Sequence, residues 1–143
     1  LCWSAVPGGS RHHWGTDIDV IDAAAMPAGY QVQLMPAEYA EGGVFSRLTS
    51  WLDGNMHQFG FHRPYGLDRG GAAVEPWHLS YAPVAGSAIE ALTLPVLKRA
   101  IADSEIEGRD YVLERLPEIY TRFILAVDAP PARTAVPACA SRA

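Results

Sequence analysis

Ser10-Arg11-His12-His13-Trp14-Gly15-Thr16-Asp17-Ile18-Asp19 and Glu75-Pro76-Trp77-His78 are the two runs on which the reading of this chain turns. The first offers an imidazole, His12, and seven residues later a carboxylate, Asp19. The second offers His78, with Glu75 three residues before it. Two histidines and an acid are enough to hold a metal ion, and a second acid left over can act as a base; these are the parts of a zinc hydrolase site. Three protein ligands leave a fourth position open for water, which marks a catalytic zinc rather than a structural one.

The local patterns say where these groups sit. Thr16, Ile18 and Val20 alternate with Asp17 and Asp19, which predicts a strand over 16–21 with both acids on one face. The spacing of His12 and Asp19 also matches two helical turns, but Gly15, the β-branched residues and Pro7-Gly8-Gly9 argue against a helix. His12 is therefore expected in a loop that enters the strand. Trp77, Leu79 and Tyr81 alternate with His78 and Ser80, so a second strand is predicted there. A regular strand through 75–78 puts Glu75 and His78 on opposite faces. For both to reach one ion the chain must break between them, and Pro76, which lacks a ladder donor, is the residue to break it.

Working outward, Phe45, Leu48, Trp51, Leu52, Met56 and Phe59 recur at helical spacing, and Gly60 fits the position just past a helix end. Residues 27–43 are turn-rich, and 61–73 form a long loop. Beyond residue 81 the pattern is helical. Ser87 with Glu90 is read as a capping box before Leu92, and Pro95 and Pro117 as points where helices restart. Leu97, Ile101, Val112, Leu116, Ile119 and Phe123 make apolar faces expected to cover the sheet. The tryptophans Trp14, Trp51 and Trp77 are expected in the core or the cleft wall. Chemistry is thereby confined to residues 10–81.

A length of 143 residues suits one domain, read as residues 1–128 followed by a flexible Ala/Pro-rich tail over 129–143. A net charge of −5 without any Lys/Arg cluster excludes a nucleic-acid footprint. No apolar run approaches roughly 18 residues, so no membrane-spanning helix is predicted. Cys2 and Cys139 can pair only if the termini meet, and two cysteines do not fix the compartment. Leu1-Cys2-Trp3 carries neither an initiator Met nor the layout of a signal peptide, and reads as the start of mature or truncated material.

Ser10-x-His12-x-x-Gly15-x-x-x-Asp19 resembles the SxHxxGxAxD signature of the M15 family of zinc D-Ala-D-Ala carboxypeptidases and dipeptidases, the vancomycin-resistance type. Glu75-Pro76-Trp77-His78-Leu79-Ser80-Tyr81 is similar to that family's EPWHxxY segment, and Asn55-Met56-His57-Gln58-Phe59-Gly60-Phe61 to its NAHxYGF stretch. The resemblance spans residues 7–82 in matching order. It implies an α+β fold, a small antiparallel sheet carrying the zinc site and flanked by helices. It implies His12, Asp19 and His78 as zinc ligands, Glu75 as catalytic base and Ser10 as a substrate-binding residue. The implied substrate is a peptidoglycan stem peptide or its precursor, cleaved next to a D-amino acid, in the bacterial cell envelope rather than the cytoplasm.

Two departures qualify the resemblance. Asp17 stands where the signature has Ala and adds a second carboxylate to the face of Asp19; it is read as solvated, with support of a ligand from behind as the alternative. Family members also carry, before the first motif, an arginine proposed to hold the substrate; only nine residues precede Ser10 here, and Arg63 is the candidate within this chain. His13 is expected at the surface, His57 in hydrogen bonding or packing, and His62 stays ambiguous. The leading expectation is removal of a C-terminal D-Ala by DD- or LD-carboxypeptidase action. The alternatives are a peptidoglycan endopeptidase and a non-catalytic zinc domain that binds a protein or cell-wall partner; retention of Glu75 argues against the latter.

Overall fold

The two motif runs meet as neighbouring strands. In the computed structural model, which describes residues 4–130, the strands are β1 (Asp17–Asp19), β2 (Phe61–His62) and β3 (His78–Tyr81). They form an antiparallel sheet in the order β1-β3-β2. The expected strand over 16–21 is thus shorter, and the expected loop after Gly60 begins with a two-residue strand. Cys2, Cys139 and residues 131–143 of the expected tail lie outside the described residues.

Register decides what the sheet presents. Asp17 lies opposite Ser80, Asp19 opposite His78, and His62 opposite Ser80. Residues directly opposite one another share a face, so Asp17, Asp19, His62, His78 and Ser80 collect on one side. Leu79, on the other side, packs against Leu52 and Met56. Strand β3 is therefore buried on both faces, one polar and one apolar: His78, Leu79 and Ser80 are all buried.

Helices α1 (Pro36–Tyr39) and α2 (Ser46–Asn55) support the apolar side. α1 nucleates within the turn-rich stretch because its Glu38 carboxylate accepts from Tyr30 Oη at 2.7 Å and from the amides of Gln33 and Met35 at 3.1 and 2.9 Å. α2 tightens into a 3-10 turn over Met56–Phe59 and stops at Gly60, whose φ of 81° permits the left-handed exit. Tyr39, Phe45 and Trp77 form a second cluster beside it. Trp51 is a correction to the expected stripe: it is 52% exposed and stacks on Phe59 at the surface.

The C-terminal half is helical as expected, with different joints. α3 (Ala82–Ala91) starts directly after β3 with Pro83 in its first turn, so Ser87 is interior rather than a cap and its hydroxyl donates to the Val84 carbonyl at 2.9 Å. α4 (Leu94–Ala102) does begin as expected, with Pro95 in its first turn. α5 (Arg109–Ile119) runs through Pro117 instead of restarting there. Proline lacks the N–H that would bond the Leu113 carbonyl, and the chain widens into a π-type turn over Tyr120–Leu125. These helices also do not chiefly cover the sheet. Leu97, Ile101, Leu116, Ile119 and Ile124 bury themselves with Val6 in a core that contains no strand residue.

The C-terminal segment instead braces the loop that follows β2. A side chain at Gly71 would collide with the Arg122 carbonyl, so only glycine allows the two backbones to approach. Asp128 accepts from the Leu67 amide at 2.9 Å and from Arg69 at 2.6 Å, and its own amide donates to the Pro64 carbonyl at 2.7 Å. Among the described residues, no helix is long and apolar enough to cross a membrane.

The helical core sets a stability test. Leu97 is fully buried, whereas Val96 beside it is 52% exposed. Leu97→Ala is expected to cost about 2–5 kcal/mol in chemical denaturation, and Val96→Ala within roughly 0.5 kcal/mol. Equal costs would contradict this packing.

Candidate active site

The site is built where β1, β3 and the chain entering each of them converge. Arg11–Trp14 form a single 3-10 turn that ends at Gly15, in the left-handed region with φ 69°. That turn directs Arg11 inward, where it is 5% exposed, and leaves His12 and His13 at the surface. The chain then enters β1, which carries Asp17 and Asp19. On the other run, Pro76 and Trp77 form a turn in which the His78 amide bonds the Glu75 carbonyl at 3.2 Å, and β3 begins at His78. The break expected at Pro76 is there, and it brings Glu75 and His78 to the same side.

His12, Asp19 and His78 converge, with one ligand atom of each lying within 4.8 Å of the others. His12 Nε2 is 3.6 Å and His78 Nδ1 is 3.4 Å from Asp19 Oδ1. The two imidazole rings are 4.6 Å apart between centroids. Glu75 Oε2 stands 3.2 Å from His78 Nδ1. Two imidazoles and a carboxylate on one point are a donor set suited to zinc, and both imidazoles line a cavity of about 100 Å³. Ser10, Arg11, His12, Tyr65, Glu75 and His78 line that cavity, together with Phe123 of the π-type turn.

Asp17 overturns the expectation that it is solvated. Its side chain is fully buried, and it accepts from His78 Nε2 at 2.9 Å, Arg11 Nε at 2.7 Å, Thr16 Oγ1 at 2.7 Å and Ser80 Oγ at 3.0 Å. Burial alone would raise its pKa; the hydrogen bonds from His78 and Thr16 and the charge of Arg11 outweigh it and hold the carboxyl well below the usual carboxylate range. Arg11 also donates to Ser80 Oγ at 2.7 Å and lies over the Trp14 ring.

The other titratable groups follow the same logic. Burial disfavours the charged form of His78, but its hydrogen bonds to Asp17 and Glu75 prevail and raise its pKa. His62, ambiguous in sequence, is a buried residue of the polar face with Nδ1 3.1 Å from the Ser80 carbonyl; burial and the charge of Arg11 lower its pKa and keep it neutral. Tyr65 presents its ring edge to His78 at 4.8 Å between centroids, and burial pushes its hydroxyl up to about 12. His57 is exposed, with Nδ1 3.2 Å from the Phe61 carbonyl.

Arg63 is not brought to the cavity. Its Nε donates to the Pro76 carbonyl at 2.8 Å and its NH1 pairs with Asp53, so it braces the turn that carries Glu75. The cation at the cavity is Arg11, which motif spacing did not single out; its signal was its place between Ser10 and His12 in a turn too tight to expose every side chain. Tyr65 and Ser80 were missed as well. Ser80 was legible as the strand position two after His78, hence on the same face.

Fold and donor set together define an α+β protein with a candidate metal-hydrolase site. A profile of the VanY family, described as D-alanyl-D-alanine carboxypeptidase, matches residues 1–84, and the chain belongs to that family. A Haemophilus influenzae relative (strain ATCC 51907 / DSM 11121 / KW20 / Rd), described as an uncharacterized protein, is 35% identical over 122 residues, covering 84% of this chain and 93% of its own length. An Enterococcus faecalis relative (strain ATCC 700802 / V583), described as a D-alanyl-D-alanine carboxypeptidase, is 33% identical over 82 residues, or 55% of this chain. The match spans only 25% of that relative's length. No solved structure matches the chain significantly.

The two shifted groups give a pH signature for the metal-free protein. His78, raised, contributes stability in full below its unfolded value of about 6.5 and loses it as pH rises through its folded pKa. Asp17, depressed, contributes above about pH 4 and loses its contribution as pH falls. The denaturation midpoint should therefore fall on both limbs, and Asp17→Asn should make the acid limb shallower. A wild-type midpoint constant from about pH 3 to 9 would contradict the linkage.

Proposed function

We propose that the protein is a zinc metallopeptidase acting on peptidoglycan stem peptides, removing a C-terminal D-Ala. One observation carries the reading: in a chain of the VanY family, His12, Asp19 and His78 converge on a point beside the Glu75 carboxylate, and His12, Glu75 and His78 line a cavity. His12, Asp19 and His78 would hold the ion. A zinc ion there supplies Lewis acidity, acidifying water and polarising the scissile carbonyl.

The chain's own residues do the rest. Glu75 Oε2 accepts the proton of the attacking water and returns it to the departing amine. Its carboxylate is suited to this because the Pro76 turn aims it at the ligand cluster, where it remains partly accessible at 13%. Ser10, on the cavity wall, hydrogen-bonds the substrate backbone. Arg11 lines the same wall, with its guanidinium held by Asp17 and Ser80. A peptidoglycan substrate favours the bacterial cell envelope over the cytoplasm as the site of action.

Two measurements test the reading. Native mass spectrometry should find about one zinc per chain, and His12→Ala should abolish it; unchanged occupancy would remove His12 from the ligand set. Glu75→Gln should keep the zinc yet lower hydrolysis of stem tetra- or pentapeptides by about 10²- to 10⁴-fold, the contribution of a general base. If the wild-type protein releases no D-Ala from either peptide, carboxypeptidase action is wrong.

A further inference from the structure

Each imidazole of the ligand cluster is held from behind by the same residue. His12 Nδ1 is 3.1 Å from the backbone carbonyl of Asp17, which leaves Nε2 facing Asp19. His78 Nε2 is 2.9 Å from the Asp17 side chain, which leaves Nδ1 facing Asp19 and Glu75. The two rings are thus addressed through opposite nitrogens, and in both cases the nitrogen turned towards the cluster is the one not bonded to Asp17.

For His78 the outcome is a contest. On its Nδ1 side two carboxylates, Glu75 Oε2 at 3.2 Å and Asp19 Oδ1 at 3.4 Å, compete for the ring proton. A proton there would block the atom that must ligate, because a metal needs the lone pair. On the Nε2 side Asp17 faces them, closer and oriented by three further donors: Arg11 Nε, Thr16 Oγ1 and Ser80 Oγ. Those donors cannot be displaced cheaply, because the carboxylate is fully buried.

We propose that Asp17 is a positioning residue that keeps neutral His78 in the Nε2–H form, so that its Nδ1 lone pair faces the site formed with His12 and Asp19. The same pair of hydrogen bonds fixes both ring planes. This rests on the reading of His12, Asp19 and His78 as metal ligands. Outer partners of this kind are worth about 10- to 100-fold in metal affinity.

The test uses ¹⁵N-histidine NMR on the metal-free protein at alkaline pH, and zinc titration of the same samples. Wild-type His78 should carry its proton on Nε2; a proton on Nδ1 overturns the proposal without any variant. Asp17→Ala alone strands the buried Arg11 charge, so the informative variant is the double change Arg11→Met with Asp17→Ala, which removes the pair together. In it the His78 proton should move to Nδ1, towards Glu75 and Asp19, and zinc affinity should fall about 10- to 100-fold. His12 should keep its tautomer, since its partner is a backbone carbonyl. Asp17→Asn should restore the Nε2–H form, because the Arg11 N–H admits only an amide oxygen at that position. A double variant with wild-type tautomer and affinity overturns the proposal. A wild-type protein that binds no zinc, yet shows the tautomer change, overturns the ligand reading alone.

Discussion

The site depends on the pairing of β1 with β3 in one particular register. Asp17 and Asp19 come from one end of the motif region and His78 and Ser80 from the other, 61 residues later. Because side chains alternate with period two, a slip of one residue would turn both acids to the face packed on Leu52 and Met56. The apolar cluster around Leu79 resists that slip, since it would bring two carboxylates against hydrocarbon. The packing of one face therefore enforces the chemistry of the other.

The polar face carries a cost that its hydrogen bonds must meet. Arg11 and Asp17 are both withdrawn from water, and desolvation of such a pair offsets much of its Coulombic gain. The pair is therefore better read as a source of order than of net stability. Asp17 accepts four hydrogen bonds, and three of the donors have a further contact: Arg11 with Ser80, and His78 with Glu75. A network satisfied at this level specifies one arrangement of side chains, because any other leaves a buried charge unpaired. The cluster of His12, Asp19 and His78 is held in order as a result.

The helices beyond residue 91 build their own core and contribute to the site from outside. Phe123, on the π-type turn, lines the cavity, and the same turn's backbone approaches Gly71. Asp128 ties down the loop at Pro64, Leu67 and Arg69. That loop leads to Glu75, whose amide bonds the Tyr65 carbonyl at 2.9 Å. The widened turn after Pro117 is thus linked to Glu75 through the 64–75 loop.

Much of this was legible in the residues themselves. Alternation marked both strands, Pro76 marked the break between Glu75 and His78, and Gly60 marked the end of the second helix, because each is a local consequence of backbone stereochemistry. His12, Asp19, His78 and Glu75 were legible as candidates from spacing and residue type, and the fold brings the four together. What sequence could not show was the inside of the polar face. Asp17 looked solvated because an alternating acid usually is, and only the pairing with β3 brings Ser80, His78 and Arg11 around it. Arg63 looked available because its sequence position follows the motif, while tertiary contact commits it to Asp53 and Pro76. Pro117 looked like a restart, but the shared core of Leu97, Ile101, Leu116 and Ile124 holds the chain helical on both sides of it. Local stereochemistry is written residue by residue; burial and charge pairing belong to segments distant in sequence, and exist only once they meet.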